Sequence, residues 1–61
     1  MEVDDMLVVA FDDEIYFYQR NNDKCIGSVG FDDVVVGVQH IPKTNNFVVL
    51  TKNQILILYY P

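Results

Sequence analysis

The sequence predicts an all-β fold, an antiparallel meander of six strands, and three observations support this prediction. Six apolar runs are rich in Val, Ile, Tyr and Phe, which suit the pleated surface of a sheet. Polar segments of two to six residues separate these runs and carry Asn, Asp, Gly and Pro, which favour tight antiparallel connections. No window of the chain has the apolar period of an amphipathic helix.

The first three strands are predicted at residues 6–10, 14–19 and 24–29. The first is an apolar run that ends before the turn pair Asp12-Asp13. The second is apolar and aromatic, and it ends before an Asn-Asn-Asp turn. The third is a short apolar run that ends before Gly30. Asn and Asp suit these connections because they tolerate turn conformations with positive φ.

The last three strands are predicted at residues 34–40, 47–51 and 54–60. The fourth is rich in valine, and Gly37 within it predicts a bulge or a close approach of another backbone. The fifth follows a turn that contains Pro42, and the sixth begins after a Lys-Asn pair. The six strands make a single β module over 6–61, preceded by an acidic N-terminal tail at 1–5.

Three stretches within these strands are apolar on both faces, at 15–18, 34–36 and 55–58. A sheet with one wet face normally alternates apolar and polar residues along each strand. We therefore expect these strands to be covered on both sides, since uncovered strands of this kind are prone to aggregate. Alternatively, a small barrel or sandwich carries the excess surface hydrophobics, with the hydroxyls of Tyr16 and Tyr18 in water.

Two stretches of the chain are alike at a fixed offset. Val8 aligns with Val48 and Ile15 with Ile55, each 40 positions apart and with no gap between the two copies. A period near 40 residues built from short strands is the length of one four-stranded propeller blade. The six strands would then equal roughly one and a half blades, each dependent on a stacked neighbour.

The segment 24–42 resembles the start of a WD-repeat, in which an outer strand leads through a Gly-His pair to an inner strand and a proline turn. Phe31 stands where the family has His, and the Trp-Asp pair that names the family is replaced in both copies. The resemblance implies a degenerate WD-repeat β-propeller of about one and a half blades over residues 6–60. The matching positions are Gly30, Val35, Val38 and Pro42.

A chain of 61 residues is one small domain, and it buries barely enough surface to offset the entropy of folding. Small domains usually gain stability from disulfides, a metal or a partner. Cys25 is the only cysteine, and no cluster of His and Cys has zinc spacing. We therefore expect a protein partner, either a larger propeller chain or copies of this chain.

The charge balance argues against two other classes of partner. The net charge is −5, and the four basic residues are scattered, whereas phosphate binding needs clustered Lys and Arg. Direct contact with nucleic acid is not expected. No apolar run approaches the ~20 residues of a membrane-spanning helix, so no membrane is expected either. One thiol and an acidic N-terminus favour an intracellular location, in cytoplasm or nucleus.

The residues with reactive or metal-binding side chains do not form a recognisable site. The triplet Asp12-Asp13-Glu14 lacks a glycine-containing ligand loop, so a solvated turn is favoured over a Ca²⁺ site. Cys25 and His40 lack the third orienting group that nucleophilic catalysis requires. The sequence therefore predicts no enzymatic activity, no metal site and no cofactor.

The expected function is a non-catalytic protein–protein interaction module that completes or extends a β-propeller scaffold. The alternative is a small β-barrel or sandwich binding module that folds alone or as a homo-oligomer. The strands at 6–10 and 54–60 are the expected free edges, open to strand addition. Alternation would place Val34, Val36 and Val38 on one side of their strand and Val35 on the other. The candidate interface residues are Val34, Val35, Val36, Val38, Ile55, Ile57, Tyr59 and Tyr60.

Overall fold

The computed structural model describes residues 1–59, which form seven β-strands and no helix. These residues therefore include no helix that is long and apolar enough to cross a membrane. Every pair of neighbouring strands is antiparallel. The predicted all-β antiparallel fold is confirmed, and the six predicted strands agree with the structure to within one residue at each end that lies among the described residues. The strands are β1 (Glu2–Val3), β2 (Met6–Phe11), β3 (Glu14–Gln19), β4 (Lys24–Gly30), β5 (Val35–His40), β6 (Asn46–Thr51) and β7 (Ile55–Tyr59).

The strands form two sheets, and the chain passes from one to the other in the middle of the predicted meander. Sheet 1 has the order β1-β2-β3-β4, and sheet 2 has the order β5-β6-β7. The chain leaves sheet 1 after Gly30 and enters sheet 2 at Val35. The seventh strand, β1, lies in the segment predicted as an acidic tail, where Glu2 pairs with Leu7 and Val3 with Met6. A strand of two residues is too short to give an apolar run in the sequence.

The core lies between the two sheets, which pack face to face. The Phe17 ring from sheet 1 meets the Phe47 ring from sheet 2 with centroids 5.9 Å apart and planes tilted by 57°. This tilted arrangement is one that aromatic pairs prefer. The two sheets come closest where β2 faces β5. The buried apolar side chains are Val8, Ile15, Phe17, Val35, Phe47 and Val49.

A bulge in β5 changes which valines face the core. The register against β6 shifts between Val35 and Gly37, so Val36 is the extra residue. The bulge predicted at Gly37 is confirmed. Val35 is buried and Val38 packs against the same core, while Val36 is exposed. The predicted separation of Val35 from Val38 by simple alternation is therefore wrong, because one inserted residue reverses the side of everything after it.

Backbone hydrogen bonds tie the link between the sheets to the β2–β3 turn. The Phe31 amide donates to the Asp13 carbonyl, and the Val35 amide donates to the Asp12 carbonyl, both at 2.8 Å. Asp12 has a positive φ of 57°, as Asp23 does in the β3–β4 turn with 54°. The predicted suitability of Asp for these turns is confirmed at both positions. The bonds fix where sheet 2 begins relative to sheet 1.

The Asp33 carboxylate connects the same link to the β6–β7 turn. Its Oδ1 accepts from the Val34 amide at 2.8 Å. Its Oδ2 accepts from the Asn53 amide at 3.0 Å and from Asn53 Nδ2 at 2.8 Å. One side chain therefore satisfies donors from two separate turns. Together with the backbone bonds, it holds the two sheets at one end of the molecule.

Candidate interaction surfaces

The outer face of sheet 2, defined by Val48, Leu50, Ile55, Ile57 and Tyr59, is apolar and open to solvent. Ile55 and Tyr59 are each 72% exposed, and Ile57 is 46% exposed. The outward-facing positions of β5, β6 and β7 carry no charged side chain. Covering this face with another apolar surface would therefore bury no unpaired charge. A continuous exposed apolar face of this kind typically marks an interaction site.

The structure separates the predicted interface residues into groups. Ile55, Ile57 and Tyr59 share the outer face of sheet 2. Val35 is buried in the core and Val38 packs against it, so neither is available to a partner. Val34 and Val36 are exposed on either side of the first residue of β5, two strands from β7. Tyr60 lies outside the described residues.

The outer face of sheet 1, defined by Leu7, Val9 and Phe11 on β2 with Tyr16 and Tyr18 beside them on β3, is a second apolar surface. Phe11 is 71% exposed. Sequence reasoning did not single out the three β2 residues as interface candidates. The 40-residue repeat is the signal that could have found them, because it relates their strand to β6.

A short hydrogen bond crosses the outer face of sheet 1. The Tyr16 hydroxyl donates to Glu14 Oε1 at 2.5 Å. This bond to the carboxylate, with desolvation and the Glu14 charge, raises the pKa of Tyr16 to about 12. The phenol is therefore uncharged at neutral pH, and one carboxylate on this face has a partner. The Tyr16 and Tyr18 rings lie 6.4 Å apart.

The sheet edges offer unpaired backbone groups. Within residues 1–59, β7 pairs only with β6, so its other edge is open, as predicted for the last strand. β2 was predicted to be the other free edge, but β1 lies beside it and pairs with its first residues. The division into two sheets makes β4 and β5 edges as well. An open edge can accept a further strand through main-chain hydrogen bonds.

The reactive side chains are engaged locally and lie on different sheets. Cys25 on β4 is exposed, and its Sγ contacts the Gly27 carbonyl at 3.6 Å. His40 on β5 has its Nε2 2.6 Å from the Thr44 carbonyl, and its ring lies 5.4 Å from the Phe47 ring with the planes tilted by 54°. Among residues 1–59, no group of three or more His, Cys, Asp or Glu is placed to hold a metal ion.

A groove of about 290 Å³ opens between the sheets at the end of the molecule opposite the Asp33 contacts. Its walls combine apolar side chains with two acidic ones and offer no convergent set of catalytic groups. Its lining includes Val3, Asp4, Asp5, Met6, Ile26 and Phe47.

Comparisons with protein-family models, curated proteins and solved structures found no match for this chain. The two outer faces and the open β7 edge are therefore the features from which its function is inferred.

Proposed function

We propose that this chain is a non-catalytic protein–protein interaction module that completes or extends a β-propeller scaffold. The observation that carries the proposal is the exposed outer face of sheet 2. A small domain that leaves Ile55, Ile57 and Tyr59 in water gains stability when another apolar surface covers them. Burial of such a face is worth about 25 cal/mol for each Å² removed from water.

Three features favour a propeller over another assembly. The hairpins β2–β3 and β6–β7 repeat at the 40-residue spacing of a blade. The sheets are closest where β2 faces β5, as sheets arranged around a common axis would be. The segment 24–42 that resembles a WD-repeat spans the step from β4 to β5, where the chain changes sheets.

The partner in this proposal is another protein chain, a larger propeller or a second copy. A flat face of aliphatic and aromatic side chains suits a second sheet better than it suits a polar ligand. The net charge of −5 disfavours a nucleic-acid partner. The module acts by binding, since Cys25 and His40 lie on different sheets and are each engaged by a nearby backbone carbonyl.

One observation favours a second candidate, a small sandwich that folds alone and binds through a sheet face. The two sheets already enclose a shared core, which is how the layers of a sandwich are stabilised. In that case the outer faces remain exposed to water in a stable monomer, and the chain needs no neighbour to fold.

The two candidates differ in how stability depends on association. Folding that is coupled to a partner makes the melting temperature rise with concentration or with added partner. We would purify the chain alone and measure its mass by light scattering and its melting by circular dichroism. The proposal predicts a broad, concentration-dependent transition that sharpens on assembly. A monomer with a sharp, concentration-independent transition would refute the scaffold proposal and favour the sandwich.

A further inference from the structure

The two sheets contain the same hairpin twice, in the same register. Met6 begins β2 and Asn46 begins β6, 40 positions later. Every residue pair between β6 and β7 has an equivalent between β2 and β3 at this offset. Among the equivalent pairs are Val8 with Phe17 in the first hairpin and Val48 with Ile57 in the second.

The two hairpins nevertheless bury opposite faces. Val8 and Phe17 point into the core and are 2% exposed. Their equivalents, Val48 and Ile57, lie on the outer face of sheet 2, where Ile57 is 46% exposed. The inner face of sheet 1 and the outer face of sheet 2 are therefore the same face of the repeated hairpin.

The opposite faces show the reciprocal relation. Phe47 and Val49 point into the core and are buried. Their equivalents, Leu7 and Val9, lie on the outer face of sheet 1 and are exposed. The outer face of sheet 1 and the inner face of sheet 2 are therefore also the same face of the repeated hairpin.

This packing is head to tail. A two-fold relation would bring like faces of the two hairpins together, whereas here unlike faces meet. The contact inside the chain is thus heterologous, and a heterologous contact leaves its two complementary surfaces free at the ends. Those free surfaces are the two outer faces. Their equivalents in the repeated hairpin are the two inner faces, which already pack against each other in the core.

We propose that the outer face of sheet 2 in one copy docks on the outer face of sheet 1 in a second copy, repeating the packing between the sheets of one chain. This inference rests on the proposed function and names its partner as a second copy of this chain. Docking of this kind continues into a closed ring or an open array, because each added copy again presents one free face of each type. The residues that meet are Val48, Ile55 and Ile57 of one copy and Leu7, Val9 and Phe11 of the next.

The charges on the two faces permit this contact. The outward positions of sheet 2 carry no ion. On sheet 1, Glu14 accepts the hydrogen bond of Tyr16, and Glu2 forms an ion pair with Arg20 at 3.2 Å. Both carboxylates therefore keep a partner when the apolar side chains on the outer face of sheet 1 are covered. This avoids the cost of burying an unpaired charge.

The test uses one blocked variant for each face. Ile57→Asp blocks the outer face of sheet 2, and Phe11→Asp blocks the outer face of sheet 1, because each puts a carboxylate where the neighbour would cover it. Ile26→Asp is the matched control, since Ile26 is 45% exposed but lines the groove between the sheets. Circular dichroism establishes that each variant is folded, and Ile55→Asp replaces Ile57→Asp if that variant unfolds.

Light scattering then gives the mass of each variant alone and of an equimolar mixture. We expect the native chain and Ile26→Asp to assemble beyond a dimer, and each blocked variant to remain a monomer. The mixture should form a complex of two chains, because each variant keeps the outer face that is blocked in the other, and these two faces are complementary. A blocked variant that still dimerises alone would mean that like faces meet. A monomeric mixture beside an assembled native chain would mean that the two intact faces do not bind each other. Either result overturns this inference and leaves the proposed function standing. A native chain that stays monomeric until a larger propeller chain binds it would also overturn this inference and leave the proposed function standing.

Discussion

The Tyr16 phenol has a strongly raised pKa, chiefly because its hydroxyl donates to the neighbouring Glu14 carboxylate. The Tyr16 hydroxyl can donate to the carboxylate only while it is protonated, so the bond favours the neutral phenol and raises its pKa from 10.0 to about 12. A raised pKa in the folded state gives a stabilisation that is fully present below pH 10. It is lost as the pH rises through about 12.

This pair yields a prediction for tyrosine ionisation. We expect an ultraviolet titration to show one phenol that ionises last, with a pKa of about 12. Glu14→Gln removes the charge and should bring that pKa back toward 10. Tyr16→Phe, as the control, should remove the late step altogether. A late step that persists unchanged in Glu14→Gln would show that the carboxylate does not cause the shift.

Asp33 has the largest number of hydrogen bonds of any carboxylate described, with three donors from Val34 and Asn53. Asp33→Ala should lower the free energy of unfolding by about 0.5–1.5 kcal/mol, because it removes hydrogen bonds that connect two turns and leaves their exposed donors to water. The exposed neighbour Asp32 provides the control, and Asp32→Ala should change stability by no more than about 0.5 kcal/mol. Urea denaturation measures both. Equal effects of the two substitutions would contradict the role given to Asp33.

At the scale of elements, the turn between β5 and β6 places Lys43 in a backbone conformation that favours glycine. The Thr44 amide donates to the Ile41 carbonyl at 3.2 Å, Pro42 holds the second position, and Lys43 has a φ of 66°. These are the features of a type II turn, which normally has Gly or Asn where Lys43 stands. A left-handed backbone costs a residue other than glycine roughly 1–2 kcal/mol.

Lys43→Gly should therefore stabilise the chain. We expect a gain of about 0.5–1 kcal/mol, since relief of the left-handed strain exceeds the added entropy of glycine in the unfolded chain. The thermal melting temperature of the variant measures the effect. Lys52→Gly is the comparison, because Lys52 has no positive φ, and there glycine should bring no gain. A lower melting temperature for Lys43→Gly would contradict the turn assignment.

The sequence predicts the strands well because each is a continuous apolar run bounded by turn residues. Gly37 marks the bulge in β5, but the sequence does not show that Val36 is the inserted residue or that the insertion reverses the faces of its neighbours. Composition alone does not mark the division into two sheets, because the link from Gly30 to Val35 has the same composition as a hairpin turn, whereas the 40-residue repeat interpreted as propeller blades does imply a division there. Here the partners of that link, Asp12 and Asp13, are distant in sequence.

The candidate surfaces were predicted only in part, for the same reason. The apolar run through Ile55 and Ile57 signals a strand covered on both faces, and the structure places both residues on one exposed face. Periodicity alone cannot say which of two alternating faces a second sheet will cover. Consequently Leu7 and Val9 were overlooked, although the 40-residue repeat already related them to the buried Phe47 and Val49.

At the scale of the whole molecule, a small core stands beside two large exposed apolar faces. Among residues 1–59, six apolar side chains are buried between the sheets, whereas the outer faces carry aliphatic and aromatic residues in water. We propose that those faces are interfaces, equivalent to the one inside the chain. A domain built in this way is stabilised by its neighbours as much as by its own core.

The most direct measurement of this claim is the solvent exposure of isoleucine methyl groups in the assembled protein. With the isoleucine δ1 methyls labelled, a soluble paramagnetic gadolinium chelate enhances the NMR relaxation of those that face water. Ile15, which is 0% exposed, marks the protected limit, and Ile26 marks an exposed methyl outside the outer faces.

In dilute monomer, Ile55 and Ile57 should be enhanced at least as strongly as Ile26, because all three are exposed in the isolated chain. At concentrations where the chain assembles, or on addition of a larger propeller chain, the enhancement at Ile55 and Ile57 should fall toward that of Ile15, while Ile26 keeps its own. Ile55 and Ile57 methyls that stay as exposed as Ile26 under all these conditions would contradict the account.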